Sequence, residues 1–220
     1  MPTEIIPIRL GMANAHLLRS PSGYILVDTG MPGSAGRILE AMRIHGLAPQ
    51  GLRLILITHG HMDHFGSAAE VREKTGAPIA VHQDDAVALR QGINPPDWLH
   101  PTSWLVALLQ RLFGSAAPQK IPGLEPDITF AGEWRLDEYG ITGRVIPVPG
   151  HTPGSVAVLL DSGAAIVGDI AMRMIGRSKK PGRPLVAWDL AMNAESVRRL
   201  AALNPHPIYS GHGGPFQQLL

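Results

Sequence analysis

Leu52-Arg53-Leu54-Ile55-Leu56-Ile57-Thr58-His59-Gly60-His61-Met62-Asp63-His64 is the most informative stretch of this 220-residue sequence. Residues 52–57 are nearly continuously apolar, the pattern of a short strand buried on both faces. Four metal-competent groups follow within six residues: His59, His61, Asp63 and His64. In an extended loop residues i and i+2 point the same way, so His59 and His61 can converge on one metal. Asp63 and His64 fall at the turn into the next helix and can aim at a second position nearby. This is a loop spacing, because a zinc-protease helix sets its histidines four residues apart. A surface or tag-like histidine cluster would not follow an apolar strand, interleaved with one Asp and one Gly.

Outward from this loop, three more candidates each end a strand-like run. His151 lies in Pro149-Gly150-His151-Thr152-Pro153-Gly154, after 142–148. Asp169 follows Gly168 and the run 164–167, and His212 lies in Ser210-Gly211-His212-Gly213-Gly214 after 207–209. Glycine beside each of them lets backbone approach closely. The ends of strands are where α/β-type sheets place their sites. Imidazole and carboxylate ligands suit Zn, Fe or Mn rather than Cu(I).

Further strands are predicted over 4–10, 13–19, 23–27, 79–81, 128–130 and 155–160. Helices are predicted over 35–45, 67–74, 84–90, 104–113 and 193–203, the last with Asn193 as N-cap. Strands and helices do not alternate strictly. The expected class is therefore α/β (α+β), with two mixed β-sheets packed face to face and helices outside. A single domain over 1–220 is expected, with an apolar helical insert at about 92–126.

Hydrophobic residues make up 45% and charged residues 17%, which argues against disorder. The net charge of +1 leaves no electrostatic footprint for nucleic acid. The absence of cysteine excludes disulfides, thiolate zinc sites, Fe–S clusters and a cysteine nucleophile. The N-terminus lacks a signal-like pattern and no apolar run approaches ~18 residues, so no membrane partner and a cytoplasmic location are expected.

Asp28 in Val27-Asp28-Thr29-Gly30, the His59-to-His64 motif, His151, Asp169 and His212, in that order, resemble the metallo-β-lactamase-fold superfamily. The resemblance spans nearly the whole chain and implies an αββα four-layer sandwich with the site between the sheets. By position it implies that His59, His61 and His151 hold one divalent metal ion. Asp63, His64 and His212 would hold a second, and Asp169 would bridge both. Zinc is the expected metal, with Fe and Mn as alternatives. The implied enzyme is a metal-dependent hydrolase. A metal-bridging hydroxide, formed from a water whose pKa the metals lower toward ~7, would attack an ester, thioester or lactone carbonyl. Asp63 is the candidate catalytic group, steering the nucleophile or taking its proton. Asp28 either orients ligands by hydrogen bonding or simply forms the turn before Thr29-Gly30.

The branches of the superfamily differ at positions that can be compared. Many zinc β-lactamases carry Cys where Asp169 stands, and they are exported. Hydroxyacylglutathione hydrolase shares the full ligand set but adds a C-terminal glutathione-binding region, and only eight residues follow His212 here. Acyl-homoserine lactonases carry a Tyr shortly after the bridging Asp, where this chain has Ile170-Ala171-Met172. The RNA-processing branch is basic, and flavodiiron proteins replace the second loop His by Glu. The rival reading is a mononuclear iron persulfide dioxygenase using His59, His151 and Asp169. β-Lactamase and phosphodiesterase activities rank below both. The expected partner is a small-molecule substrate, and a homodimer is compatible with the sequence.

Two segments bear on substrate. Trp98-Leu99, Trp104-Leu105, Leu108-Leu109 and Leu112-Phe113 form either a cap that receives an acyl chain or a core or dimer helix. Arg173, Arg177, Lys179, Lys180 and Arg183 either bind a substrate anion or form a solvated loop. His82 is expected to be structural and His16 half-buried, while Met172 and Met174 are candidates to line the pocket.

Overall fold

The computed structural model describes residues 3–113, 120–173 and 180–220. Met174, Arg177 and Lys179 lie outside these residues, and so do the side chains of Leu109 and Phe113.

β1 (Glu4–Arg9), β2 (Asn14–Ser20) and β3 (Gly23–Val27) form an antiparallel meander. Helix α1 (Ala35–Ile44) leads to β4 (Leu52–Leu56), which pairs parallel with β3. The short helix α2 (Met62–Phe65) and helix α3 (Ala68–Thr75) precede β5 (Ile79–His82). Next come α4 (Ala86–Gln91), β6 (His100–Pro101), α5 (Trp104–Phe113) and β7 (Ile128–Phe130). The first sheet runs β1-β2-β3-β4-β5-β7, and β4, β5 and β7 are parallel neighbours.

The second sheet contains β8 (Trp134–Arg135), β9 (Gly143–Pro147), β10 (Val156–Leu160) and β11 (Ala165–Ile166). After β12 (Val186–Ala187) and α6 (Leu190–Ala201), β13 (Ile208–Tyr209) joins its edge beside β11. The order is β13-β11-β10-β9-β8, with only β11 and β13 parallel. Both sheets are mixed, as expected. β6 and β12 make a separate two-stranded ribbon that sequence patterning did not foresee.

Period-two alternation divides the apolar side chains among three layers. Leu17, Leu26, Ile55 and Ile57 face α1, α3 and α4, against Ile38, Met42, Val71 and Leu89. Leu18, Ile25, Val27, Leu54 and Leu56 face the second sheet, meeting Val145, Val156 and Val158. Ala157, Ala165 and Val167 pack on the other side against Val197 and Leu200 of α6. The result is helix, sheet, sheet, helix. Each fully buried Leu, Ile or Val adds roughly 1.5–3 kcal/mol, so the doubly buried strand β4 anchors the layers. No helix among the described residues is long and apolar enough to cross a membrane.

Four expectations are corrected. The last helix starts at Leu190, with Asp189 accepting from the Met192 amide at 2.9 Å; Asn193 lies inside it and donates from Nδ2 to the Ile170 carbonyl. The helix expected over 84–90 starts at Ala86 after a tight turn over Gln83–Asp85, which draws Asp85 into the interior. His16 is 1% exposed rather than half-buried. α5 is no core helix: Trp104 is 78% and Leu112 65% exposed, whereas Trp98 joins the core.

Candidate metal centre

The loops that leave β4, β10's neighbours and β13 all open on one side of the sandwich. Asp28, directly after β3, has φ +63, and its carboxylate accepts from the Thr58 amide and the Thr58 hydroxyl, both at 2.8 Å. This fixes the exit from β4. Gly60 then passes so close to Ala88 and Trp98 that a Cβ would sit 2.8 Å and 2.9 Å from their side chains. The tight passage holds His59 and His61 as a pair, and α2 starts one residue later.

The fold brings all seven predicted residues together. The ligating atoms of His59, His61 and His151 lie within 4.8 Å of one another, and so do those of Asp63, His64, Asp169 and His212. Asp169 Oδ2 reaches both groups: 3.9 Å from His59 Nε2, 3.8 Å from His151 Nε2, 3.4 Å from His64 Nε2 and 3.1 Å from His212 Nε2. Asp63 Oδ2 lies 3.1 Å from His212 Nε2. All are buried except Asp63, whose side chain is 27% exposed.

The far side of most rings is pinned. His151 Nδ1 contacts the Val186 carbonyl at 3.0 Å and His212 Nδ1 the Met12 carbonyl at 2.8 Å. A carbonyl only accepts, so both Nδ1 atoms carry the hydrogen. His64 Nδ1 donates to Asp28 Oδ2 at 2.8 Å. The Thr58 hydroxyl spends its hydrogen on Asp28, so at 3.0 Å it accepts from His59 Nδ1. Nε2 is thus the inward atom of these four rings. His59, His61, His64 and His151 Nε2, together with Asp169 Oδ1, are buried without a hydrogen-bond partner. Buried polar atoms are nearly always satisfied. These orphans belong to two neighbouring groups, each of which could hold a divalent cation, and imidazole with carboxylate fits zinc, iron or manganese.

The charges fall into two halves. Burial, reinforced by His64 and His151, holds His59 well below the ordinary imidazole range. Burial lowers His61 to about 3 and also lowers His151, so this trio is neutral at pH 7 with lone pairs available. Around the other half burial is outweighed by carboxylates: Asp169, Asp28 and Asp63 raise His64 well above its usual value, and Asp169 and Asp63 raise His212 to about 10. Conversely, burial of Asp63 is outweighed by His64 and His212, which lower it to about 2.

Sequence reading missed Asp85. It is fully buried and accepts from the Gly60 amide (2.7 Å), the Thr152 hydroxyl (2.6 Å) and the Gly154 amide (2.7 Å). One carboxylate therefore ties the His59–His61 loop to the His151 loop. In the sequence, Asp84-Asp85 looks like an ordinary acidic first turn, and no local pattern marks its bonds to Thr152 and Gly154. Of the Arg and Lys residues read as either anion-binding or a solvated loop, Arg173 approaches the His212 loop, its amide donating to the His212 carbonyl at 3.0 Å. Met172 is buried beside that loop. His82 is structural, accepting from the Asp84 amide.

The family model of the metallo-beta-lactamase superfamily matches residues 8–212. "Probable metallo-hydrolase YflN" of Bacillus subtilis (strain 168) is 32% identical over 226 residues, covering 93% of this chain and 81% of that protein. A hydroxyacylglutathione hydrolase of Anaeromyxobacter dehalogenans (strain 2CP-C) is 33% identical over 162 residues, covering 73% of this chain and 47% of that protein. The crystal structure of a subclass B3 metallo-beta-lactamase from a soil metagenome library superposes with a TM-score of 0.69 at 24% identity, over 96% of this chain and 76% of that one. The last likeness concerns the fold. The chain belongs to the metallo-beta-lactamase superfamily. Within it, the chain is a metallo-hydrolase.

Proposed function

We propose that His59, His61 and His151 hold one divalent cation, that Asp63, His64 and His212 hold a second, and that Asp169 is shared. The observation that carries this reading is the convergence of three buried, partnerless Nε2 atoms, those of His59, His64 and His151, on Asp169, with the partnerless His61 Nε2 beside His59 and His151. We propose further that the enzyme hydrolyses a thioester, ester or lactone of a small molecule. The hydroxyacylglutathione hydrolases among its relatives favour a thioester.

A bound cation pair supplies Lewis acidity, lowering the pKa of water and polarising the carbonyl. The chain's own residues supply the rest. Asp63, the one partly exposed member of the cluster, faces the attacking water and accepts its proton. The carbonyl carbon gains a C–O bond, its bond to sulfur or oxygen breaks, and the leaving group takes up a proton. Asp28, Thr58, Val186 and Met12 keep the rings from turning.

The insert suits an apolar acyl group. β6 pairs with β12, Thr102 Oγ1 donates to the Pro184 carbonyl at 2.5 Å, and Val186 of β12 itself holds His151. This ribbon ties α5, with Trp104, Leu105 and Leu108 exposed, to the site.

A panel of thioesters, esters, lactones, β-lactams and phosphodiesters tests the reading. Thioester, ester or lactone turnover that disappears in His61→Ala supports it. Turnover of β-lactams or phosphodiesters alone overturns it, as does oxygen uptake on glutathione persulfide by protein holding one iron.

A further inference from the structure

We propose that the cavity between β1 and β13 binds a small anion, a carboxylate or phosphate group, through Arg9, Arg173 and His16. The cavity measures about 340 Å³. β1 is the outer strand of the first sheet and β13 the outer strand of the second, so the gap lies at the open edge of the sandwich. Ile6, Ile8 and Leu10 turn toward the helices. The alternate residues Pro7 and Arg9 therefore turn toward the second sheet, where Pro7 faces His16 and Arg9 faces Asn14 across the strands. Tyr209 of β13 closes the other wall, its ring 5.7 Å from that of His16.

The chemistry of the lining is one-sided. Two arginines line the cavity, and among the described residues none of its lining is acidic. The Arg9 side chain is exposed and has no hydrogen-bond or ion-pair partner among the described residues. Arg173 is oriented by donating to the Lys180 carbonyl from both Nε, at 2.8 Å, and Nη2, which leaves the Nη1 hydrogens and one on Nη2 for a ligand. Gly213, at φ +78, lets Arg173 come this close, because a Cβ there would overlap the Arg173 carbonyl.

His16 supplies an independent observation. It lines the cavity, is 1% exposed, and its side chain has no hydrogen-bond partner among the described residues. Burial keeps the ring neutral, lowering it to about 3. A neutral imidazole still offers one N–H, and an anion held by the two arginines would satisfy it.

The cavity is coupled to the metal centre. Met12, on its rim, holds His212 Nδ1, and Asn14 donates from Nδ2 to the Ser210 and Gly213 carbonyls at 3.1 and 3.0 Å. An anion here would brace the loop that carries His212. It could be part of the substrate or a free ion.

The test titrates metal-loaded protein with inorganic phosphate in a calorimeter, comparing wild type with Arg9→Gln and Arg173→Gln. Arg9 is on the surface, so its variant keeps the fold. The expected result is phosphate binding that weakens about 10-fold or more in Arg9→Gln, with metal content unchanged. Phosphate affinities equal to wild type in both variants would place the phosphate at the cations and overturn the proposal, and so would no phosphate binding at all. Where phosphate binding is lost, kcat/KM for a carboxylate-bearing thioester and an uncharged analogue identifies the source. A loss confined to the carboxylate-bearing compound assigns the anion to the substrate; equal values assign it to a free ion. The binding readout needs no turnover, so it stands apart from the hydrolase reading.

Discussion

Asp28 Oδ2 lies 2.8 Å from both His64 Nδ1 and the Thr58 hydroxyl, so one buried carboxylate grips the two ends of the motif loop. This bears on the two sequence readings of Asp28: besides ending β3, it orients the His64 ring and the Thr58 side chain. Asp28→Ala is expected to lower metal affinity by about 10–100-fold. Competition with a chromophoric chelator measures it, and an affinity equal to wild type counts against the role.

Gly211 leaves no space for a side chain. A Cβ there would overlap Asp169 Oδ1 and stand 2.5 Å from His64 Cε1. Gly211→Ala is expected to displace both residues, reducing bound metal and lowering stability by about 1–3 kcal/mol. A variant with full metal content would show that the loop yields more easily than this packing implies.

Asp85 gives a pH dependence with a defined sign. Burial raises it from 3.8 to about 6, against the hydrogen bonds from Thr152, Gly60 and Gly154 that lower it. The folded chain therefore keeps this proton longer than the unfolded one. The associated stability is complete below pH 3.8 and is lost as pH rises through about 6. Relative to Asp85→Asn, the wild type should lose about 3 kcal/mol across that window. Denaturant titrations at both ends measure it; parallel curves would mean that Asp85 does not titrate there.

Trp104 and Leu108, 78% and 42% exposed, offer an apolar face without being needed for packing. Trp104→Ala and Leu108→Ala should raise KM several-fold for long acyl chains while leaving short ones unchanged, since each buried methylene adds about 0.8 kcal/mol. Equal KM values across chain lengths rule out acyl contact.

Much of the site was legible because its residues are local or flagged by glycine. His59, His61, Asp63 and His64 declare themselves by density, and His151, Asp169 and His212 by following strands. The two mixed sheets followed from runs such as 52–57. What the sequence concealed was long-range. Asp85 reaches Thr152 and Gly154, 67 and 69 residues away, through contacts that no local pattern encodes. Asn193 was read as a cap because residue type favours it there, yet Asp189 takes the cap and burial claims Asn193. The β6–β12 ribbon pairs two-residue strands, too short to show a period.

Metal analysis of wild type, His151→Ala and His212→Ala bears most directly on the site. Each substituted residue lies in a different donor group. The expected outcome is about two divalent cations per chain in wild type and one fewer in each variant. Metal-free wild-type protein, or two cations retained in both variants, would show that these side chains do not form a dinuclear centre.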